Sequence, residues 1–172
     1  MKIEMGDWQI RSWLNEDEAS VVKYANNRAV SINLCDAFPY PYTQRDARDW
    51  IRTVSRQVPE SQWAIASAEE AIGGIGLQLG DDIFRRTAKI GYWLGEPFWG
   101  IGIATRAVEE ATNYAFSQFD LDRIHAEVFE WNPASARVLE KAGYCLEGRL
   151  RRRVIKAGKT IDCFLYAKIR EQ

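Results

Sequence analysis

The residues best placed to do chemistry lie in Gly91-Tyr92-Trp93-Leu94-Gly95-Glu96-Pro97-Phe98-Trp99-Gly100-Ile101-Gly102-Ile103-Ala104-Thr105. An apolar, strand-like run ends, small residues follow, and a helical pattern begins. Glycine at 100 and 102 and alanine at 104 let the main chain approach a ligand with little side-chain interference. The first N–H groups of the next helix have no partner within it and point outward, along a dipole that favours negative charge. Such a turn can hold phosphate oxygens. No Gly-Lys-Ser/Thr follows, which removes the loop that cradles a nucleotide γ-phosphate. The same glycines also suit a plain strand-to-helix connection.

A second constellation is Asn132-Pro133-Ala134-Ser135. Asparagine before proline is a helix start, and Gly143 sits where such a helix would end. Val138 and Leu139, three and four residues after Ser135, put that hydroxyl on an inward face. On the preceding strand-like run, His125, Glu127 and Glu130 are the groups able to take a proton, directly or through water. Salt-bridged carboxylates and a structural histidine fit the same positions, so no base is assigned. Arg149, Arg151, Arg152, Arg153 and Lys156 form the one basic cluster, suited to a phosphate, an acidic substrate or a solvated strand face. Phe38, Tyr40 and Tyr42 alternate with Pro39 and Pro41, which excludes helix interior. They are placed to wall a substrate pocket.

The elements that must position these groups follow from periodicity. Trp8 to Trp13 reads as the first strand and Asp17 to Asn26 as a helix. Thr43 is an N-cap with Asp46 three residues on. It opens a helix whose face is Ala47, Trp50, Ile51, Val54 and Val58, stopped by Pro59. Trp63–Ala66, Ala71–Leu79 and Lys89–Leu94 form a meander. Ala104, Ala107, Val108, Ala111, Tyr114 and Ala115 mark one face of a helix. Arg123–Phe129 is a strand, and the tail is a hairpin of Arg151–Lys156 and Lys159–Ile169 turning at Ala157-Gly158. The expected order is β-α-α-β-β-β-α-β-α-β-β. This is an α/β (α+β) fold with a mostly antiparallel mixed sheet flanked by helices.

The 172 residues suit a single domain over 1–172, large enough for a core without staples. With 23 Lys+Arg against 24 Asp+Glu, the charge of −1 gives no general drive toward nucleic acid or an anionic membrane. Three widely spaced cysteines point to a reducing, cytoplasmic setting, and together with a lone histidine they leave no metal-ligand pattern. No stretch approaches the length of a membrane span. The sheet edges and plentiful aromatics permit a homodimer.

Trp99-Gly100-Ile101-Gly102-Ile103-Ala104 resembles the Gln/Arg-x-x-Gly-x-Gly/Ala pyrophosphate loop of the GNAT superfamily of N-acetyltransferases, with tryptophan in place of Gln/Arg. The longer string from Gly91 to Thr105 is similar to the branch containing ribosomal-protein N-terminal acetyltransferases. So are Asn132-x-x-Ser135, Gly143-Tyr144, Glu147-Gly148-x-Leu150-Arg151 and Gly158-Lys159-x-x-Asp162-x-x-x-Tyr166. The resemblance implies transfer of acetyl from acetyl-CoA to a primary amine by direct attack in a ternary complex. It implies that Trp99 to Thr105 hold the pyrophosphate and that the pantetheine arm runs along Tyr92, Trp93 and Leu94. It also implies that Asn132 contacts the cofactor and that Ser135 serves the leaving sulfur. No metal enters. The acceptor is left open among protein N-termini, polyamines, aminoglycosides and amino-acid-like metabolites.

Three rival readings are weighed. A dinucleotide-binding oxidoreductase would open its domain with the glycine turn and needs more chain after it than this one has. A nucleic-acid module lacks the charge and any recognised motif. A non-catalytic member that binds acyl-CoA without turnover stays open, because no base is matched.

Overall fold

The computed structural model describes residues 1–171. In chain order the elements are β1 (Lys2–Met5), β2 (Trp8–Arg11), α1 (Glu18–Ala25), α2 (Arg28–Ser31), α3 (Gln44–Val54), β3 (Gln62–Ala66), β4 (Ala71–Leu79), β5 (Thr87–Leu94), α4 (Ile103–Gln118), β6 (Arg123–Phe129), α5 (Pro133–Lys141), β7 (Cys145–Lys156) and β8 (Lys159–Ile169). All eight strands join one sheet in the order β1-β2-β3-β4-β5-β6-β8-β7. Among the described residues only β5 and β6 run parallel, and α4 is the crossover between them.

Two elements were absent from the expected order. Strand β1 pairs with β2 through the turn at Gly6-Asp7, and the short helix α2 starts with Asn27 capping the Ala29 N–H at 2.8 Å. Neither is long enough for its periodicity to stand out. The first expected strand also ends early, at Arg11, because Trp13 leaves the ladder and packs at 7% exposure under α1 and α3. The tail hairpin is longer than its alternation indicated, with β7 beginning at Cys145.

Burial explains which faces the helices cover. On α4, Ile103, Ala107, Val108, Ala111, Thr112 and Ala115 are buried against Ile75, Leu77, Ile90 and Ile124 of the sheet. On the opposite face Val21 and Ala25 of α1 and Ala47, Ile51 and Val54 of α3 enclose Trp13, Ala64 and Ala71. Helix α3 starts with the anticipated reciprocal cap: Thr43 N–H donates to Asp46 Oδ2 at 2.8 Å, and Asp46 N–H donates to Thr43 Oγ1 at 3.3 Å. It stops at Val54, short of the expected end. Val58 is 94% exposed and Trp50 is 39% exposed, so neither belongs to its core face.

Candidate functional site

The site begins where β5 and β6 part. Their parallel pairing covers only Thr87↔Arg123, Ala88↔Ile124 and Lys89↔His125, whereas β5 continues to Leu94 and β6 to Phe129. On its other edge β5 stays paired with β4 as far as Leu94. The Gly95 N–H donates to Ile72 O of β4 at 2.8 Å. Strand alternation therefore turns the N–H and C=O of Leu94 and Tyr92 the other way, into the gap. Those of Trp93 face β4, so its main chain is not open to a ligand. Its side chain lies on the α1–α3 face, 5.5 Å centroid to centroid from Phe38.

The glycine turn closes one end of this gap. Gly100 and Gly102 have φ of +79° and +92°, and a Cβ at either would meet no atom within 4 Å. Gly102 is the N-cap of α4 in the left-handed region, with no side chain capping the helix. The amides of Gly102, Ile103, Ala104 and Thr105 find no acceptor among the described residues; the Arg106 N–H, bonded to Gly102 O at 3.1 Å, is the first that does. These donors have the geometry of an anion cradle, and the glycines keep the space before them clear. Trp99, at the position where the motif usually carries Gln or Arg, donates from Nε1 to Leu94 O at 2.7 Å. That bond occupies one of the carbonyls facing the gap.

Helix α5 supplies the other wall. Asn132 caps it, its Oδ1 accepting from the Ser135 N–H at 3.2 Å. The half-buried Ser135 does face inward, as the helical spacing implied, and its Oγ lies 2.8 Å from Tyr92 Oη across the gap. The Tyr92 hydroxyl also reaches Ser135 O at 3.2 Å. Burial raises the Tyr92 phenol well above its ordinary value. This contact escaped sequence reasoning, which used only the Tyr92 main chain. The signal was present: Tyr92 alternates onto the face of Ile90 and Leu94, and a tyrosine on a buried face needs a partner for its hydroxyl.

The remaining candidates separate. Tyr42 is 5% exposed and belongs to the core with Trp13 and Ala47 rather than to a pocket wall. Phe38 bridges Tyr42 and Trp93, and Tyr40 is exposed beneath the Arg28 guanidinium. Glu127 accepts from Arg153 at 3.0 Å and lies 3.7 Å from Lys89; the Arg153 bond holds its carboxyl below the usual range. Glu130 accepts from the Asp162 N–H at 3.1 Å and pairs with Arg149 at 3.4 Å. Both carboxylates are thus engaged. Burial, aided by Arg123 and Lys89, lowers His125 below its ordinary value.

Three members of the basic cluster are paired, with partners on β8, on and just after β6, and in the loop before Phe38. Arg149 also binds Asp162 at 2.6 Å, and buried Lys156 reaches Asp36 of the loop before Phe38 at 2.8 Å. Residues 151–153 form a bulge against the single residue Asp162, whose Oδ1 accepts the Arg152 N–H at 2.7 Å. Arg151 and Arg152 have no acidic partner within salt-bridge distance among the described residues. No group of three or more metal-ligating side chains occurs among those residues, and no helix is long and apolar enough to cross a membrane.

Comparison with known proteins agrees with this geometry. Residues 8–144 match the acetyltransferase (GNAT) domain. The chain is 29% identical over 178 residues to the N-acetyltransferase p20 of Bacillus licheniformis, covering 100% of this chain and 91% of that protein. It is 31% identical over 105 residues to the ribosomal-protein-serine acetyltransferase of Escherichia coli, covering 61% and 58%. Among solved structures, RimL, a ribosomal L7/L12 alpha-N-protein acetyltransferase in complex with coenzyme A, superimposes with a TM-score of 0.87 at 21% identity, covering 98% of both chains. With a family match over most of its length, a sheet that parts between its two parallel strands and a glycine turn baring the start of α4, the chain belongs to the GNAT acetyltransferase family.

Proposed function

We propose that this chain, acting as one domain over residues 1–172, transfers acetyl from acetyl-CoA to a primary amine. The observation that carries the reading is the run of free amides from Gly102 to Thr105 at the mouth of the β5–β6 gap. They and the positive end of α4 hold the diphosphate. The Tyr92 and Leu94 main chain aligns the pantetheine arm, except at the Leu94 carbonyl that Trp99 already occupies. The Leu94 N–H faces the carbonyl oxygen as its charge grows, a role worth ~3 kcal/mol for a fixed donor. Asn132 fixes the start of α5, and the Ser135 hydroxyl serves the departing sulfur.

No base is assigned for the amine, since Glu127 and Glu130 are held in ion pairs and His125 lies where β5 and β6 are still paired. This favours acceptors that are already partly neutral. An N-terminal amine is about one-tenth neutral at pH 7, whereas a lysine amine is neutral in fewer than about one molecule in a thousand. We therefore favour a protein or peptide N-terminus, with the reaction in the cytoplasm, in keeping with three free cysteines. RimL, an alpha-N-protein acetyltransferase, points the same way, and the Escherichia coli ribosomal-protein-serine acetyltransferase also has a protein acceptor.

The test is mass spectrometry of an amine panel incubated with acetyl-CoA: serine- and alanine-led peptides, an N-blocked lysine peptide, spermidine and kanamycin. The expected products are the N-acetylated peptides. If acetyl-CoA stabilised the protein yet no amine was modified, the non-catalytic binding reading would replace this one.

A further inference from the structure

We propose that Tyr92 is a positioning residue for Ser135, fixing the serine oxygen so that its single proton is left for the departing sulfur. The inference deepens the acetyl-transfer reading and rests on it.

Two hydroxyls 2.8 Å apart share two protons, and a third oxygen, Ser135 O, lies 3.2 Å from Tyr92 Oη. In one arrangement serine donates to tyrosine and tyrosine donates to the carbonyl, so both protons are used internally. In the other, tyrosine donates to Ser135 Oγ and the serine proton turns outward. The 2.8 Å contact serves either direction; the second arrangement is favoured because the residue-135 carbonyl is already the ladder acceptor for residue 139 in α5. A serine in a helix otherwise turns its proton back onto a carbonyl of the preceding turn. The tyrosine is a fixed point: its side chain shares a face with Ile90 and Leu94 and packs against the main core. Burial keeps the phenol protonated, and so a donor, over the working range of pH.

The chemistry assigns serine a hydrogen bond rather than a proton delivery. An ordinary thiol has a pKa of about 8.5 and a phenol about 10, so neither hydroxyl would surrender its proton to the thiolate at equilibrium. The C–N bond forms, the C–S bond breaks with its electron pair on sulfur, and the amine proton passes to solvent. Ser135 O–H, held by Tyr92, stabilises the sulfur as that charge develops.

The experiment follows thiol release from acetyl-CoA in single turnovers, with hydroxylamine as a surrogate acceptor. Tyr92→Phe and Ser135→Ala should each slow release about tenfold, with KM for acetyl-CoA changed less than about twofold. The double variant should be no slower than Ser135→Ala alone. Losses that multiply in the double variant, or Tyr92→Phe at the wild-type rate, would overturn the proposal. Uniform replacement of tyrosine by 3-fluorotyrosine strengthens the donor without removing it, which covers the case where Tyr92→Phe fails to fold. It should alter the rate when Ser135 is present and leave Ser135→Ala unchanged; an equal change in both proteins overturns the assignment. A wild-type protein that releases no thiol above the buffer control sinks the acetyl-transfer reading itself, a result distinct from any difference among variants.

Discussion

The indole of Trp99 donates to the carbonyl of Leu94 at 2.7 Å, so the chain that leaves β5 folds back and ties itself to the strand's last residue. This bond sets where the glycine turn begins relative to the β5–β6 gap. A Gln or Arg side chain at this position would also carry donors, but on a flexible stem. An indole fixes the distance with two torsions.

Trp99→Phe keeps the ring and removes the N–H. The loss of one part-buried hydrogen bond, about 1 kcal/mol, should weaken acetyl-CoA binding roughly fivefold. Calorimetric titration would measure it. An unchanged affinity would mean that the turn holds its position without the tie.

Gly102→Val places a β-branched residue at φ +92° and a side chain in space that is otherwise clear. Left-handed strain of about 1–2 kcal/mol should lower the melting temperature of the free protein by about 3–6 °C. The larger effect is on the ligand: the rise in melting temperature that acetyl-CoA produces in the wild type should be mostly lost. A full shift in the variant would place the diphosphate elsewhere.

His125 is the sole histidine, so its titration can be followed without overlap. Its folded pKa is lowered below 6.5, first by burial and then by Arg123 and Lys89. The unfolded chain therefore takes up a proton at higher pH than the folded one. Its contribution to stability is complete above pH 6.5 and declines as pH falls from there through the folded pKa. His125→Gln should flatten the melting-temperature profile over that window, and the NMR signal of the wild-type imidazole should titrate below 6.5. A midpoint above 6.5 would contradict the burial.

Glu127→Gln tests whether this carboxylate acts as the base. The Arg153 bond depresses the Glu127 pKa, so its contribution to stability is present above pH ~4.5 and lost as pH falls through the lower folded value. Arg153 is half exposed, which limits the pair to about 1 kcal/mol or less. The variant should lose a few degrees of stability and keep its acetylation rate within about threefold. A fall of about a hundredfold would identify Glu127 as the base.

Local chemistry made part of this molecule readable. The Thr43–Asp46 cap, the Asn132-Pro133 start of α5 and the glycine turn before α4 each depend on residues within a few positions of one another, and each lies where expected. Short elements did not announce themselves: four residues of β1 and four of α2 give no period to detect. Helical spacing overran at Val58 because nothing in the pattern distinguishes a buried valine from one in the following loop. Tyr92 and Ser135 stand 43 positions apart, and only the parting of β5 from β6 brings their hydroxyls together. The turning of Tyr42 into the core likewise needed Phe38, Trp13 and α3 in place.

The sheet order carries a consequence for how the chain reaches this state. β7 is made before β8, yet β8 lies between it and β6. Residues 145–156 therefore have no strand to dock against, and the outer edge of β6 is bare, until residues 159–169 are in place. Assembly of that half waits on a hairpin folding as a unit and inserting whole. A polypeptide cut short within β8 would present the open edge of β6 to its neighbours, a template for pairing between chains.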